Sequence, residues 1–530
     1  MSTSPKDIIF DTAAREKLLA GINALTDVIA CTLGPKGRNV GLEKSWGAPS
    51  ITNDGNSIVK EIELQDDFEN MGVSMAKEVA QNIKDKCGDG TTTGTILLRA
   101  MVEAGVKHVA AGASPIAIKR GIDKAIEATV ADVKKRAIPV NGSDDIRNIA
   151  VVSASGDTTI GEVIAAAVEQ VGNSGVITIE EGKATTTNID IVEGMQFDRG
   201  YLSAYFCTNA EKLISELANP QILLVDKKIS NIHELLPILQ ATASTGRELL
   251  IIAEDVEADA LSTLVINRIR GTLKVAAVKA PGFGDRRKSM LQDLATLTGA
   301  TVIAEEAGIT LKDADATVLG SAEAVTITKD NTTIVNGAGD KAQIAARVKE
   351  LENEAETTES SYDREKLEER KAKLGGGVAV IRVGAATEPE MKQKKQAFED
   401  SLNSTKAAMA EGVVPGGGVT LLRAAKAVEG LNLEGDEKLG ADIVIRACSA
   451  PLKQIASNTG LDGSIVVSEV ASAKDTFGFN ALTEQVEDLM KAGVIDAAKV
   501  VRNCLTHAAS LAGIVLISEA LITDANEEEE

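Results

Sequence analysis

The chain has 530 residues with 44% hydrophobic and 25% charged content, values of a soluble globular protein long enough to bury a core in several domains. Its formal charge of −22 argues against nucleic acid, whose phosphates demand dense Lys and Arg, and against anionic membrane surfaces. Three distant histidines and five scattered cysteines with no CxxC spacing disfavour a His-based metal site or a catalytic triad. The cysteines read as reduced, buried thiols, and a cytoplasmic location is expected. No apolar signal core and no run of transmembrane length is expected. One Trp, three Tyr and eight Phe leave most packing to aliphatic residues and Ala, which favours helices.

The first predicted element is a helix from Phe10 to Leu33, with Leu18, Leu19, Ile22, Leu25 and Ile29 at helical spacing and Asp11 or Thr12 as its cap. It ends at Thr32-Leu33-Gly34-Pro35-Lys36-Gly37, where Gly and Pro force a turn that can approach a ligand. Short strands around Asn39 to Leu42 and Ser50 to Thr52 follow, and Asn53-Asp54-Gly55 reads as a tight turn that puts Asp54 on a loop. A charged helix from Phe68 to Lys86 stops at Cys87-Gly88-Asp89-Gly90-Thr91-Thr92-Thr93-Gly94, and a second helix runs from Thr95 to Ala111. Glycines let a backbone approach a ligand, free amides at a helix start attract anions, and three hydroxyls add donors. Asp89 supplies a hard oxygen suited to Mg²⁺. The plain alternative is a Gly-rich turn with Thr helix caps.

Two helical runs lead from Ser114 to Ala137, and the polar stretch from Pro139 to Asp145 marks a boundary. Helical pattern from Asn148 to Val171 is interrupted at Ser153 to Asp157, and Gly175 to Glu180 reads as a strand. From Ile189 to Leu374 short apolar strands (Ile222 to Val225, Leu249 to Ala253, Val275 to Val278, Thr301 to Ile303) alternate with helical runs, the pattern of an α/β layer. Within it, the charged region from Asp340 to Lys373 reads as two solvated helices meeting near Thr357 to Ser361. Gly194 and Gly375-Gly376-Gly377 flank the segment as hinges. A strand from Val378 to Val383, a helix from Glu388 to Ala410, and a second triplet Gly416-Gly417-Gly418 before a helix from Val419 to Val428 come next. Helical patterns continue to Ile522, and the Glu-rich tail is expected to be disordered. No stretch matches GxxxxGK[ST], a kinase signature or a Ser nucleophile elbow, so an ATP site here must be of another design.

Several long motifs in one order carry a resemblance. They are Thr32 to Val40, Gly88 to Thr93, Val192 to Tyr201, Lys279 to Arg287, Gly376 to Ile381 and Glu411 to Gly418. Together they resemble group I chaperonins of the GroEL type, over about residues 6 to 522. The resemblance implies a multidomain α/β fold with a mostly helical equatorial domain (1–135 and 412–530), a small intermediate domain (136–192 and 377–411) and an inserted α/β apical domain (193–376). It implies seven-membered rings, two of them stacked, that use ATP with Mg²⁺ and K⁺. Unfolded polypeptides would be captured on the apical rim and enclosed under a GroES-type co-chaperonin.

By the same motif match, Thr32, Leu33, Gly34, Pro35, Asn53, Asp89, Gly90, Thr91, Thr92, Thr93, Gly417, Asn480, Ala481, Leu482 and Asp496 contact the nucleotide, with Asp89 as the Mg²⁺ ligand. Asp400 matches the acid that activates the attacking water, and Asp54 assists near the γ-phosphate. Because the resemblance puts Asp400 and Asp89 in different domains, it implies that hydrolysis waits on domain closure. Tyr201, Tyr205, Phe206, Leu236, Leu239, Leu261, Val265 and Ile266 would line the apolar client groove, although without the resemblance they read as core. Arg199 and Glu388 match positions of inter-subunit or interdomain salt bridges.

Departures from the pattern are Asn53 where the family usually has Lys, Pro415 and Val494 beside the pocket, and a C-terminus of Glu527 to Glu530 in place of Gly-Gly-Met repeats. They keep open an alternative, a chaperonin-fold paralogue acting as a scaffold with weak ATPase. A metabolic ATP-dependent enzyme would need its own acid–base set, and the sequence shows none.

Overall fold

The computed structural model describes residues 5–43, 49–172, 175–182, 184–210, 212–304, 308, 310–358 and 360–525. The tail from Glu527 to Glu530 lies outside them. Two compact units form, Met1–Ala166 with Lys392–Glu530, and Ala167–Met391.

The first unit is mainly helical. Helix Asp11–Ala30 turns Ala14, Leu18, Ile22, Leu25 and Ile29 into one core, all at 1% exposure or less. It packs on helices Asp67–Cys87 and Thr91–Ala110, and helix Ala498–Ile517 packs against those two and Pro115–Arg136. The first crossing is tight: a Cβ on Gly21 would stand 1.9 Å from the Glu69 carbonyl oxygen, and one on Gly72 2.2 Å from that of Leu18. Pro115–Arg136 is one helix where the sequence suggests two runs. Ser114 caps it, Pro115 opens it, and Ile118, Ile122, Ala125, Ile126 and Val133 keep a single phase.

Two other expectations fail in this unit. Lys6–Phe10 pairs antiparallel with Ala520–Asp524, so a strand precedes the first helix and a strand takes the place of helix expected to continue to Ile522. A hairpin (Phe477–Asn480 with Gln485–Asp488) and the pair Val413–Pro415 with Ile495–Ala497 also interrupt the helices. Strands of three to five residues are too short to show a period of two. Contrary to expectation, helix Ala498–Ile517 is long and apolar enough to cross a membrane by length and composition. Its apolar window is 67% buried inside this unit, where Leu505, Ala508, Ala512, Val515 and Leu516 belong to the core.

The second unit is built on an eight-stranded mixed sheet. Val275–Lys279, Leu249–Val256, Gln221–Ile229 and Val302–Ile303 run parallel, and Gly320–Ile327, Thr332–Gly337 and Gly194–Phe197 continue it antiparallel. The strand from Leu249 begins with five buried residues in succession, as a sheet covered on both faces requires. A three-stranded sheet places Val378–Val383 between Val176–Glu181 and Asn188–Val192. Helices Lys341–Thr357 and Ser361–Gly375 pack on each other and are more than solvated faces. Arg347 Nε (2.9 Å) and Arg370 Nε (2.7 Å) converge on Asp293, which is fully buried.

Candidate functional site

Helix Asp67–Cys87 ends on Gly88, whose N–H donates to the Lys84 carbonyl at 2.7 Å with φ 75°, and Gly90 follows at φ 92°. Only glycine fits these two places. A Cβ on Gly88 would meet Asn403 Cβ at 2.5 Å, and one on Gly90 would meet Cys504 Sγ at 2.6 Å. The next helix begins at Thr91, four residues earlier than the sequence pattern suggests. Thr91, Thr92 and Thr93 therefore form its first turn, where amides lack intrahelical acceptors and favour an anion.

Around this loop the fold of the first unit gathers Asp54, Asp400 and Asp496, and the other predicted nucleotide residues lie elsewhere in the same unit. Asp54 stands at the start of helix Gly55–Glu61 and caps it, accepting from Ser57 N–H (2.9 Å) and Ser57 Oγ–H (2.6 Å). The tight turn expected at Asn53-Asp54-Gly55 is thus a helix N-cap. Gly55 lies so close to the Thr91 and Thr92 hydroxyls that an added Cβ would stand 3.0 and 2.6 Å from them. The Thr32 to Pro35 turn is held by Asn458 Nδ2, which donates to the carbonyls of Ala30 (2.9 Å) and Leu33 (2.8 Å). Thr32 is buried, Gly34 has φ 84°, and Pro35 and Asn53 are exposed. In the second triplet, Gly416 backs onto the Asp496 carboxyl and Gly417 (φ 61°) onto the Phe479 carbonyl. Asn480 donates to Glu487 Oε1 at 2.7 Å and accepts from Leu482 N–H at 3.0 Å; Ala481 is buried and Leu482 exposed.

Four carboxylates, Asp54, Asp89, Asp400 and Asp496, influence one another here. Asp400 is fixed by Gln396 Nε2 (2.8 Å, on Oδ1) and Lys84 Nζ (3.2 Å, on Oδ2). Burial pushes its carboxyl up to about 7; Lys84 opposes the rise and Asp54 adds to it. Burial, with Asp89 adding, also pushes Asp496 up to about 7. Asp89 keeps some exposed surface, but protein atoms crowd it densely, and that desolvation raises its carboxyl despite the Gly90 N–H bond at 2.6 Å. With Ser153, Ser404 and Asp496 it lines a narrow cavity. The buried Ser153 hydroxyl lies beside Asp89 without making a well-formed hydrogen bond. Buried carboxyls crowded together, with charged forms made costly, are what an incoming cation stabilises.

The model of the TCP-1/cpn60 chaperonin family matches residues 25–526. The chain belongs to that family. It is also similar to Chaperonin GroEL 3 of Protochlamydia amoebophila (strain UWE25), with 68% identity over 526 residues, 99% of this chain and 98% of the relative. The resemblance to GroEL-type group I chaperonins is thereby shown, and with it the multidomain α/β fold and an ATP-dependent chaperonin function. This chaperonin is an ATPase coupled to protein folding, works as oligomeric rings and binds unfolded polypeptides. The scaffold alternative is not favoured.

The residues expected to line a client groove sit in the second unit with unequal access. Tyr205 (68% exposed), Ile266 (47%) and Leu236 (39%) face outward, while Tyr201, Leu261 and Val265 are half-buried against the core. Phe206 and Leu239 are buried, at 0% and 7%, so in this arrangement they pack the core and offer no surface to a client. Arg199 stacks its guanidinium over the Phe283 ring at 5.4 Å, and Glu388 opens helix Glu388–Glu411. Sequence reading missed Lys84, Gln396 and Asn458. Lys84 had a usable signal, a cation in the last turn before the Gly-rich loop; Asn458 had none.

Proposed function

We propose that ATP binds with its phosphates at the Thr91 helix start, and that Asp400 draws a proton from the water that attacks the γ-phosphorus as the bond to the ADP oxygen breaks, giving phosphate and ADP. The observation that carries this reading is the meeting of Asp89, Asp54, Asp400 and Asp496 around one glycine-lined helix start. Mg²⁺ fits beside Asp89. Among the described residues no group of three or more His, Cys, Asp or Glu forms a metal cage, and Mg²⁺ commonly takes one carboxylate together with substrate phosphates and waters. When bound, the ion would neutralise charge on the phosphates. Asp54 is positioned by its Ser57 bonds, and Thr32 to Pro35 with Gly417, Asn480, Ala481 and Leu482 would cover the nucleotide. K⁺ is proposed to share this oxygen-rich site.

At the level of assembly we propose two stacked seven-membered rings, a GroES-type lid and a cytoplasmic location. The divisions 1–135 with 412–530, 136–192 with 377–411, and 193–376 would serve as equatorial, intermediate and apical domains, with closure gating hydrolysis. Asp89→Ala should lower Mg²⁺-dependent ATP hydrolysis on the order of 100-fold while ring assembly persists in light scattering. Retention of the full rate would remove the assignment.

A further inference from the structure

We propose that Lys84 is the phosphate-facing cation of the nucleotide site, bridging Asp400 and the terminal phosphate. This rests on the reading of the Gly88 to Gly94 loop given above. Its main-chain carbonyl accepts the Gly88 N–H at 2.7 Å, so Lys84 is tied directly to the loop. The Lys84 side chain is only 14% exposed, and it is the cation acting most strongly on both Asp89 and Asp400. It therefore points among the acids, away from bulk water.

A triphosphate entering beside four carboxylates meets strong repulsion unless a fixed cation faces it. Asn53, two residues before the Gly55 that lies against the Thr91 and Thr92 hydroxyls, is uncharged and cannot fill that role. The Lys84–Asp400 contact is 3.2 Å, longer than the about 2.7–2.9 Å of a tight charge-assisted bond. Elsewhere the Arg287–Asp226 pair closes to 2.7 Å. An ammonium has three donors, and the loose contact to Asp400 leaves donors for phosphate oxygens. Such a bridge would also turn Asp400 toward the water that attacks that phosphate.

The test is titration of the assembled full-length protein with ADP and with adenylyl imidodiphosphate, in wild type, Lys84→Met, Lys84→Met with Asn53→Lys, and Asp89→Ala. Methionine keeps the aliphatic stem. Lys84→Met should weaken the triphosphate analogue about tenfold or more and ADP less than about threefold. Asn53→Lys, restoring a cation from a different element, should recover most of the loss, which a merely structural defect at position 84 would not allow. Should Lys84→Met fail to assemble, Lys84→Arg replaces it and should keep most of the analogue affinity. Wild-type affinity in Lys84→Met, equal loss of ADP and analogue, or failure of Asn53→Lys to rescue would each overturn the proposal. If Asp89→Ala weakens binding while Lys84→Met does not, Lys84 alone is excluded; if Asp89→Ala is also silent, the nucleotide site itself is misplaced.

Discussion

Asp400 and Asp496 are acids held against their own ionisation. Both sit at about 7 in the fold and near 4 in an unfolded chain. The raised value means the protonated carboxyl favours folding: that contribution is complete below about pH 4 and is lost as pH rises through about 7. Without nucleotide, Asp496→Asn should therefore raise the melting temperature at pH 8 by the equivalent of about 1–3 kcal/mol, less at pH 5, and change little below about pH 4. A pH-independent difference in calorimetry would show that Asp496 is not desolvated. The same variant should lose nucleotide affinity, a trade expected where strain serves binding. For Asp400, the proposed base, the consequence is kinetic: a base with this value gives turnover that rises with pH through about 7 and then levels.

At the scale of elements, the helix that delivers the Gly-rich loop is positioned by the Gly21–Gly72 crossing. Gly72→Ala pushes a methyl into the Leu18 carbonyl and should cost about 1–3 kcal/mol, with ATPase falling in parallel because the loop moves with its helix. Urea denaturation and turnover on one preparation check both. In the second unit Asp293→Ala leaves the half-buried Arg370 without its carboxylate and Arg347 with Glu350 alone, a loss of about 2–4 kcal/mol visible as faster proteolysis within 167–391. Long periodic elements were legible in the sequence: Leu18 to Ile29 and the strands at Leu249 and Val275 lie where their patterns put them. The glycine loops were legible because backbone approach demands glycine there. What escaped was set by tertiary partners. Asp54 reads as a turn until its carboxyl is seen capping a helix. Phe206, core by its own pattern, is client-facing only by the resemblance, and the core closes over it. The charged 340–373 region reads as solvated until Asp293 draws its arginines inward.

For the whole molecule, the exposed apolar residues Tyr205, Leu236 and Ile266 and the acid cluster are proposed to serve opposite halves of one cycle, capture and nucleotide-driven release. Burying a few hundred Å² of shared apolar surface at ~25 cal/mol per Å² yields several kcal/mol without sequence specificity. Tyr205→Ser should accordingly weaken capture of a denatured test protein several-fold while leaving ATPase in place. The most direct measurement is single-turnover hydrolysis of ATP by assembled Asp400→Ala beside wild type, with release of a labelled unfolded protein followed in the same samples. Hydrolysis in the variant should fall on the order of 100-fold while ATP still binds and release stalls after one event. Hydrolysis at the wild-type rate in Asp400→Ala, or release that proceeds equally without ATP, would contradict the assignment.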